Sequence, residues 1–153
     1  MLRHLAQVSA QHRDQEETLS MASGVARVLF GADYVAIGSV NEHGFPSNYR
    51  YVSGNRTDVH LSDQQPVVSS RFRAWLANPI TTVIDDFASE PGIAEGELQV
   101  HRQEGLVTSI TVPFQALDGT WLYLIIGFRE HQTLSDDDVR FANALAQTIA
   151  STM

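Results

Sequence analysis

Tyr49 and Tyr51, Ser109 and Thr111, and Trp121 and Tyr123 occur as pairs two residues apart inside β-rich runs. In an unbroken strand that spacing sets both members of a pair on one face. Hydroxyls and aromatic rings gathered in this way offer a few hydrogen bonds within an apolar wall, which is the make-up of a small-molecule pocket. The competing account is that these rings fill a core, and the sequence balances the two. A second contribution comes from the segment opening at Pro66, a residue suited to the first position of a helix. The amides of Val67, Val68 and Ser69 would then stand unpaired with a partial positive charge, ready for a small anion such as nitrate or for a ligand carboxylate. Phe72 and Trp75 share the apolar face of that helix with Val68 and Leu76 and extend the wall.

No arrangement with catalytic spacing accompanies these residues. His43, His60 and His101 are scattered, and neither an HExxH metal motif nor a GxSxG nucleophile elbow occurs. Asp85 and Asp86 would form an acid and base pair if burial split their pKa values, but neighbours on a strand point to opposite faces, which favours a solvated turn. Asp136, Asp137 and Asp138 follow Ser135 directly, so they read as the capped first turn of a helix and not as a metal site. The chain reads as a binding domain and not as an enzyme.

Composition narrows the class further. At 153 residues and 43% hydrophobic, the chain suffices for one domain, 1–153, with one continuous core. Ten basic residues stand against 18 acidic ones, a net charge of −8, and no basic cluster appears to neutralise phosphates, which argues against nucleic acid as a partner. The absence of cysteine removes disulfides, thiolate metal sites and cysteine nucleophiles, and fits a cytoplasmic setting. No apolar run approaches the ~20 residues of a membrane span.

The elements that must position the pocket follow from periodicity. Residues 2 to about 30 carry apolar positions at helical spacing with Gly31 as a stop, and Asp14 with Glu17 forms a capping box that predicts a short first helix ahead of a longer second one. Strands over 34–40 and 47–53 flank a turn at 41–44. A helix from Pro66 ends before Asn78, a short strand follows at 80–84, and 91–104 is a helix weakened by Gly92 and Gly96. Runs 106–114 and 121–128 make a hairpin through Asp118 and Gly119, and the closing helix carries Phe141, Leu145, Ala146 and Ile149 on one side. Strands that arrive as hairpins argue for an α+β domain. Its central antiparallel sheet has about five to six strands, the N- and C-terminal helices pack on one face, and shorter helices and loops cover a pocket on the other.

The block Ser109, Ile110, Thr111, Val112, Pro113, Phe114, then Asp118 and Gly119, an apolar strand, Leu134, Ser135 and three aspartates, and a helix ending Leu145 to Ala150, resembles the C-terminal half of GAF domains. Leu19 to Leu29 ahead of Gly31, Ala32, Asp33, Tyr34 and Val35 resembles their N-terminal half. The resemblance implies a sensory fold, with a small-molecule ligand held between sheet and helices and a regulatory output. Tyr123 and Leu124 stand where many family members have glycine, and the cyclic-nucleotide signature has no counterpart. Covalent bilin attachment and methionine sulfoxide reduction of the family's kinds need a cysteine that this chain lacks, so the cofactor is left unknown. A non-covalent haem on one histidine, as in some family members, is compatible with the chain, but no histidine is singled out for it. Tyr49 to Asn55 together with Gly127, Phe128 and Arg129 resembles stand-alone nitrate-sensing GAF proteins that modulate a partner sensor kinase.

The terminal helices carry more apolar residues than one sheet face needs, with Leu5, Val8, Leu19 and Val25 at one end and Phe141, Leu145 and Ile149 at the other. The surplus predicts a homodimer through these helices, and a signalling partner protein or output domain to receive the ligand-dependent shift. A pure dimerisation and interaction module without a ligand is the alternative.

Overall fold

The computed structural model describes residues 2–40, 46–57, 74, 77–90 and 101–153. In order these form α1 (Leu2–Phe30), β1 (Tyr34–Val40), β2 (Pro46–Ser53), β3 (Thr82–Ile84), β4 (Thr108–Gln115), β5 (Trp121–Phe128) and α2 (Asp136–Ala150). The five strands make one antiparallel sheet in the order β2-β1-β5-β4-β3, the α+β arrangement expected from hairpin-joined strands. β1 and β5 meet at its centre, where Val35 opposes Ile126 and Ile37 opposes Leu124, all of them buried.

Alternation along these strands creates two unlike faces. Val35, Ile37, Ile110, Val112, Phe114, Leu122, Leu124, Ile126 and Phe128 face both helices, which answer with Leu19, Ala22 and Ala26 from α1 and Ala142, Leu145, Ala146 and Ile149 from α2. Ala26, Ala142 and Ala146 have no exposed surface, and their small side chains let helix and sheet backbones approach closely. The two helices run antiparallel: the Phe30 and Phe141 rings pack at 5.3 Å, while Gln15 Nε2 donates to the Thr152 carbonyl at 3.3 Å.

α2 begins as its sequence requires. Ser135 Oγ accepts from the Asp138 amide at 3.2 Å and Asp138 Oδ2 accepts from the Ser135 amide at 2.8 Å, a complete capping box. Gly31 ends α1 with φ of 68°, a left-handed conformation that glycine adopts without a Cβ penalty.

Three expectations change. α1 is one continuous helix, with no break at Asp14. The stretch around Asp14 holds no glycine or proline, so helix propagation outcompetes a local cap. β3 is shorter than 80–84 and among the described residues pairs with β4 alone, at the end of the sheet order, and Ile80 is exposed. β4 starts at Thr108 and not at 106, because Leu106 turns into the second face beside Phe87. Of the helix predicted from Pro66, Ala74 and Ala77 are helical, with the Asn78 amide bonded to the Ala74 carbonyl at 3.2 Å. Val67, Val68, Ser69, Phe72 and Trp75 lie outside the described residues, as do the turn at 41–44, His60 and most of the segment 91–104. That last segment emerges as a helical turn at 101–104, closed by Gly105 with φ of 70°.

Candidate functional site

The sheet face away from α1 and α2 is built from rows of cross-strand neighbours. One row runs Tyr34, Gly127, Ser109 and Ile84; the next runs Val52, Ala36, Ile125, Thr111 and Thr82; a third runs Tyr49, Gly38, Tyr123 and Pro113. Small residues occupy the middle of this floor, and larger side chains lie across it. A Cβ on Gly38 would strike the Tyr123 hydroxyl, so the Tyr123 ring rests directly over that glycine. A Cβ on Gly127 would stand 3.0 Å from Leu106 and 3.2 Å from the Tyr34 ring. Phe87 is buried in the same layer and stacks on His101, with centroids 3.8 Å apart and planes at 27°. Ile125 and Thr111 keep part of their surface, and Trp121 is 38% exposed.

Three phenols gather here. Tyr34 and Tyr123 are buried and Tyr49 is partly so, and the Tyr49 and Tyr123 hydroxyls are hydrogen-bonded to each other. Burial pushes the ionisation of all three above the ordinary tyrosine value. At Tyr34 the neighbouring Tyr49 and Glu104 add to the rise while Arg129 opposes it. All three are therefore neutral hydroxyls at physiological pH, able to donate to a ligand or accept from it.

Beside the phenols lies a buried ion pair. The Glu104 side chain is fully buried and the Arg129 side chain is 12% exposed, with Arg129 Nη2 3.1 Å from Glu104 Oε2. Arg129 also donates from Nε to the Glu104 carbonyl at 2.8 Å, from Nη1 to the Asp33 carbonyl at 3.2 Å and from Nη2 to the Gly54 carbonyl at 2.7 Å. The Glu104 carboxylate accepts from the Arg56 amide at 2.7 Å, and from the Thr57 amide at 3.1 Å and hydroxyl at 2.7 Å. The Arg129 amide in turn donates to Asp33 Oδ2 at 2.7 Å. Charge at this depth is tolerable because every side of it is hydrogen-bonded. With four side-chain bonds to protein oxygens, Arg129 staples the loops together.

The structure brings some predicted residues together and parts others. Tyr49, Ser109, Thr111, Trp121 and Tyr123 share the second face, with Trp121 at its open margin. Tyr51 does not join them. Ile37 pairs with Tyr51 but Gly38 pairs with Tyr49, so Arg50 is an extra residue in β2. That bulge undoes the alternation and turns Tyr51 onto the helix-facing core while Tyr49 stays opposite. Tyr34 and Glu104 were missed as part of this region; an acid three residues after His101 on a weak helix carries no sequence mark of burial. Asp85 and Asp86 take turn roles, Asp85 Oδ1 lying 2.9 Å from His131 Nε2 at the surface and Asp86 Oδ1 accepting from the Ala88 amide at 3.0 Å. Asp137 pairs with Arg140 at 2.8 Å. Among the described residues, no group of three histidine or acidic side chains could hold a metal ion, and no helix is long and apolar enough to cross a membrane.

A family model described as GAF domain matches residues 12–153. No curated protein matches the chain. Among solved structures, a domain assigned to a two-component sensor histidine kinase protein from Sinorhizobium meliloti 1021 superposes with a TM-score of 0.72 at 11% identity, covering 90% of this chain and 89% of that one. The green light-absorbing state of the red/green cyanobacteriochrome NpR6012g4 gives 0.68 at 16% identity, with 90% and 92% covered. A phycocyanobilin-bound domain from a cyanobacterial phytochrome gives 0.67 at 19%, with 96% and 90% covered. At such identities the likeness is one of fold.

Proposed function

Because the chain belongs to the GAF domain family, we propose that it is a small-molecule-sensing regulatory domain, 1–153, whose ligand lies against the tyrosine-bearing face of the sheet. The observation that carries this is the second face itself. Its floor of Ala36, Gly38 and Gly127 is overlaid by three neutral phenols, and Ile125, Thr111 and Trp121 stay partly open beside them. A mainly apolar site with a few convergent hydroxyls suits a compact ligand. The work of the domain is regulatory and not catalytic, is carried out in the cytoplasm, and passes to a kinase, cyclase or transcriptional output through protein contacts.

A small anion such as nitrate is the second candidate ligand. It is favoured by the short likeness over Tyr49 to Asn55 and Gly127 to Arg129, and would draw on the amides of Val67 and Val68. Dimerisation belongs to the same proposal: Met21, Val25, Val28 and Leu29 are exposed along one stripe of α1.

Thermal unfolding of the purified chain with nitrate, nitrite, other small anions, cyclic nucleotides, haem and amino acids tests this. A ligand at one hundred times its dissociation constant adds about 2.7 kcal/mol, or roughly 5–10 °C in a domain of this size. Nitrate alone raising the midpoint selects the anion. Silence across the panel sinks the sensing proposal and leaves the interaction module.

A further inference from the structure

We propose that the buried Arg129–Glu104 pair is the link through which the tyrosine-bearing face acts on α1. This rests on that face being the ligand side, as proposed above. The pair joins four parts of the chain. Arg129 leaves β5 and reaches Asp33, which lies three residues beyond the end of α1 at Phe30. It also reaches Gly54 at the exit of β2 and Glu104 in the helical turn ahead of β4. Glu104 adds the amides of Arg56 and Thr57 from the same exit of β2.

The contact at Asp33 is tight. A Cβ on Gly54 would strike the Asp33 carbonyl oxygen, and the Asp33 amide is itself held by the Gly127 carbonyl at 3.0 Å. The other end of the link is the ligand side. Tyr34 follows Asp33 directly, its phenol lies within electrostatic reach of Tyr49, Glu104 and Arg129, and Tyr49 is bonded to Tyr123. A ligand that shifts residues 54–57 or the turn at 101–104 must therefore either stretch bonds to the guanidinium or carry Asp33 and the end of α1 with it, and one that displaces Tyr49 or Tyr123 acts on the same pair through Tyr34, the residue after Asp33. A buried fork that makes four bonds favours the second course, since leaving one of its partners unpaired is costly.

Gly38→Ala supplies a push on this face without any ligand, because the new methyl displaces the Tyr123 hydroxyl. Amide hydrogen exchange would be read by NMR at Ala26–Phe30 in α1, with Ile110 in β4 and Ile149 in α2, both buried and away from Gly38 and Tyr123, as controls. In the otherwise unchanged chain, Gly38→Ala should alter exchange in α1 by at least about five-fold, the lower end of ordinary coupling between sites, with the controls unmoved. With Arg129→Lys also present, which keeps the charge but loses the fork, the response of α1 should fall within about two-fold. Glu104→Gln serves in place of Arg129→Lys if the latter does not fold. The proposal is overturned if α1 responds equally in both backgrounds, if it ignores Gly38→Ala, or if controls and α1 change together as in general loosening. An empty ligand screen would leave this result standing, since no ligand enters the experiment.

Discussion

Glu104 and Arg129 show how two charges come to lie inside an acidic protein. Each is surrounded by partners of the opposite sign or by backbone dipoles, so the cost of removing one falls on what remains. Glu104→Ala should destabilise the fold by about 3–5 kcal/mol, read as a lower urea midpoint, and Glu104→Gln by less, because it fills the same volume and keeps one acceptor oxygen, at the cost of an NH2 facing the donors at the other position. The phenols add a second residue-scale prediction. Tyr34, Tyr49 and Tyr123 ionise above their ordinary value in the fold, so above pH ~10 the unfolded chain loses protons that the folded chain retains. Stability then falls as pH rises, by about 1.4 kcal/mol per unit for each phenol that stays neutral. Alkaline melts should show the midpoint dropping beyond pH 10, with tyrosinate absorbance from these residues appearing together with unfolding. Little of this was legible beforehand. Arg129 is visible as a charge after an apolar strand, but Glu104 lies 25 positions away and only the packing of a helical turn against the sheet end makes them neighbours.

Elements were legible where their signals are local. Ser135 and Asp138 specify the start of α2 by themselves, and the box they form is present in full. Ser135→Ala should cost about 1 kcal/mol, measured as a shift of the thermal midpoint, with the sheet unchanged. The β4 and β5 hairpin was equally plain, since an Asp118 and Gly119 turn lies between two apolar runs and Gly119 takes a φ of 88°. Failure came where a strand's outcome depends on its partner. Alternation assigns Tyr49 and Tyr51 to one face only if β2 pairs with β1 without interruption, and the bulge at Arg50 lies in the pairing and not in either sequence. The same bulge predicts a division of roles. Tyr49→Phe, on the face proposed to hold the ligand, should alter ligand-induced stabilisation, whereas Tyr51→Phe, on the helix side, should leave it unchanged.

Among the described residues, α1 carries an apolar stripe that the domain itself leaves uncovered. Val28 and Leu29 are 80% and 64% exposed and Met21 is 72% exposed, with Val25 between them at spacings of four and three residues, the pattern of a helix seam. α2 covers a different side of α1, where Phe30 meets Phe141 and Gln15 meets Thr152, and residues 2–14 of α1 precede that second contact. An apolar stripe of this kind is expected to meet a second copy of itself across a two-fold axis, burying it at both ends of the contact. Such a dimer would also give the shift of α1 somewhere to go, because two helices packed on each other convert a small movement into a change at a shared surface. Val28→Glu combined with Leu29→Glu sets like charges opposite one another across the axis while touching nothing in the buried core. Sedimentation should find the unaltered chain dimeric and the double variant monomeric. The melting midpoint should rise with concentration for the unaltered chain and stay flat for the double variant, since self-association stabilises by mass action. A chain that sediments as a monomer at every concentration, with a midpoint indifferent to both substitutions, would assign the stripe to a different protein and make α1 the contact with the output partner.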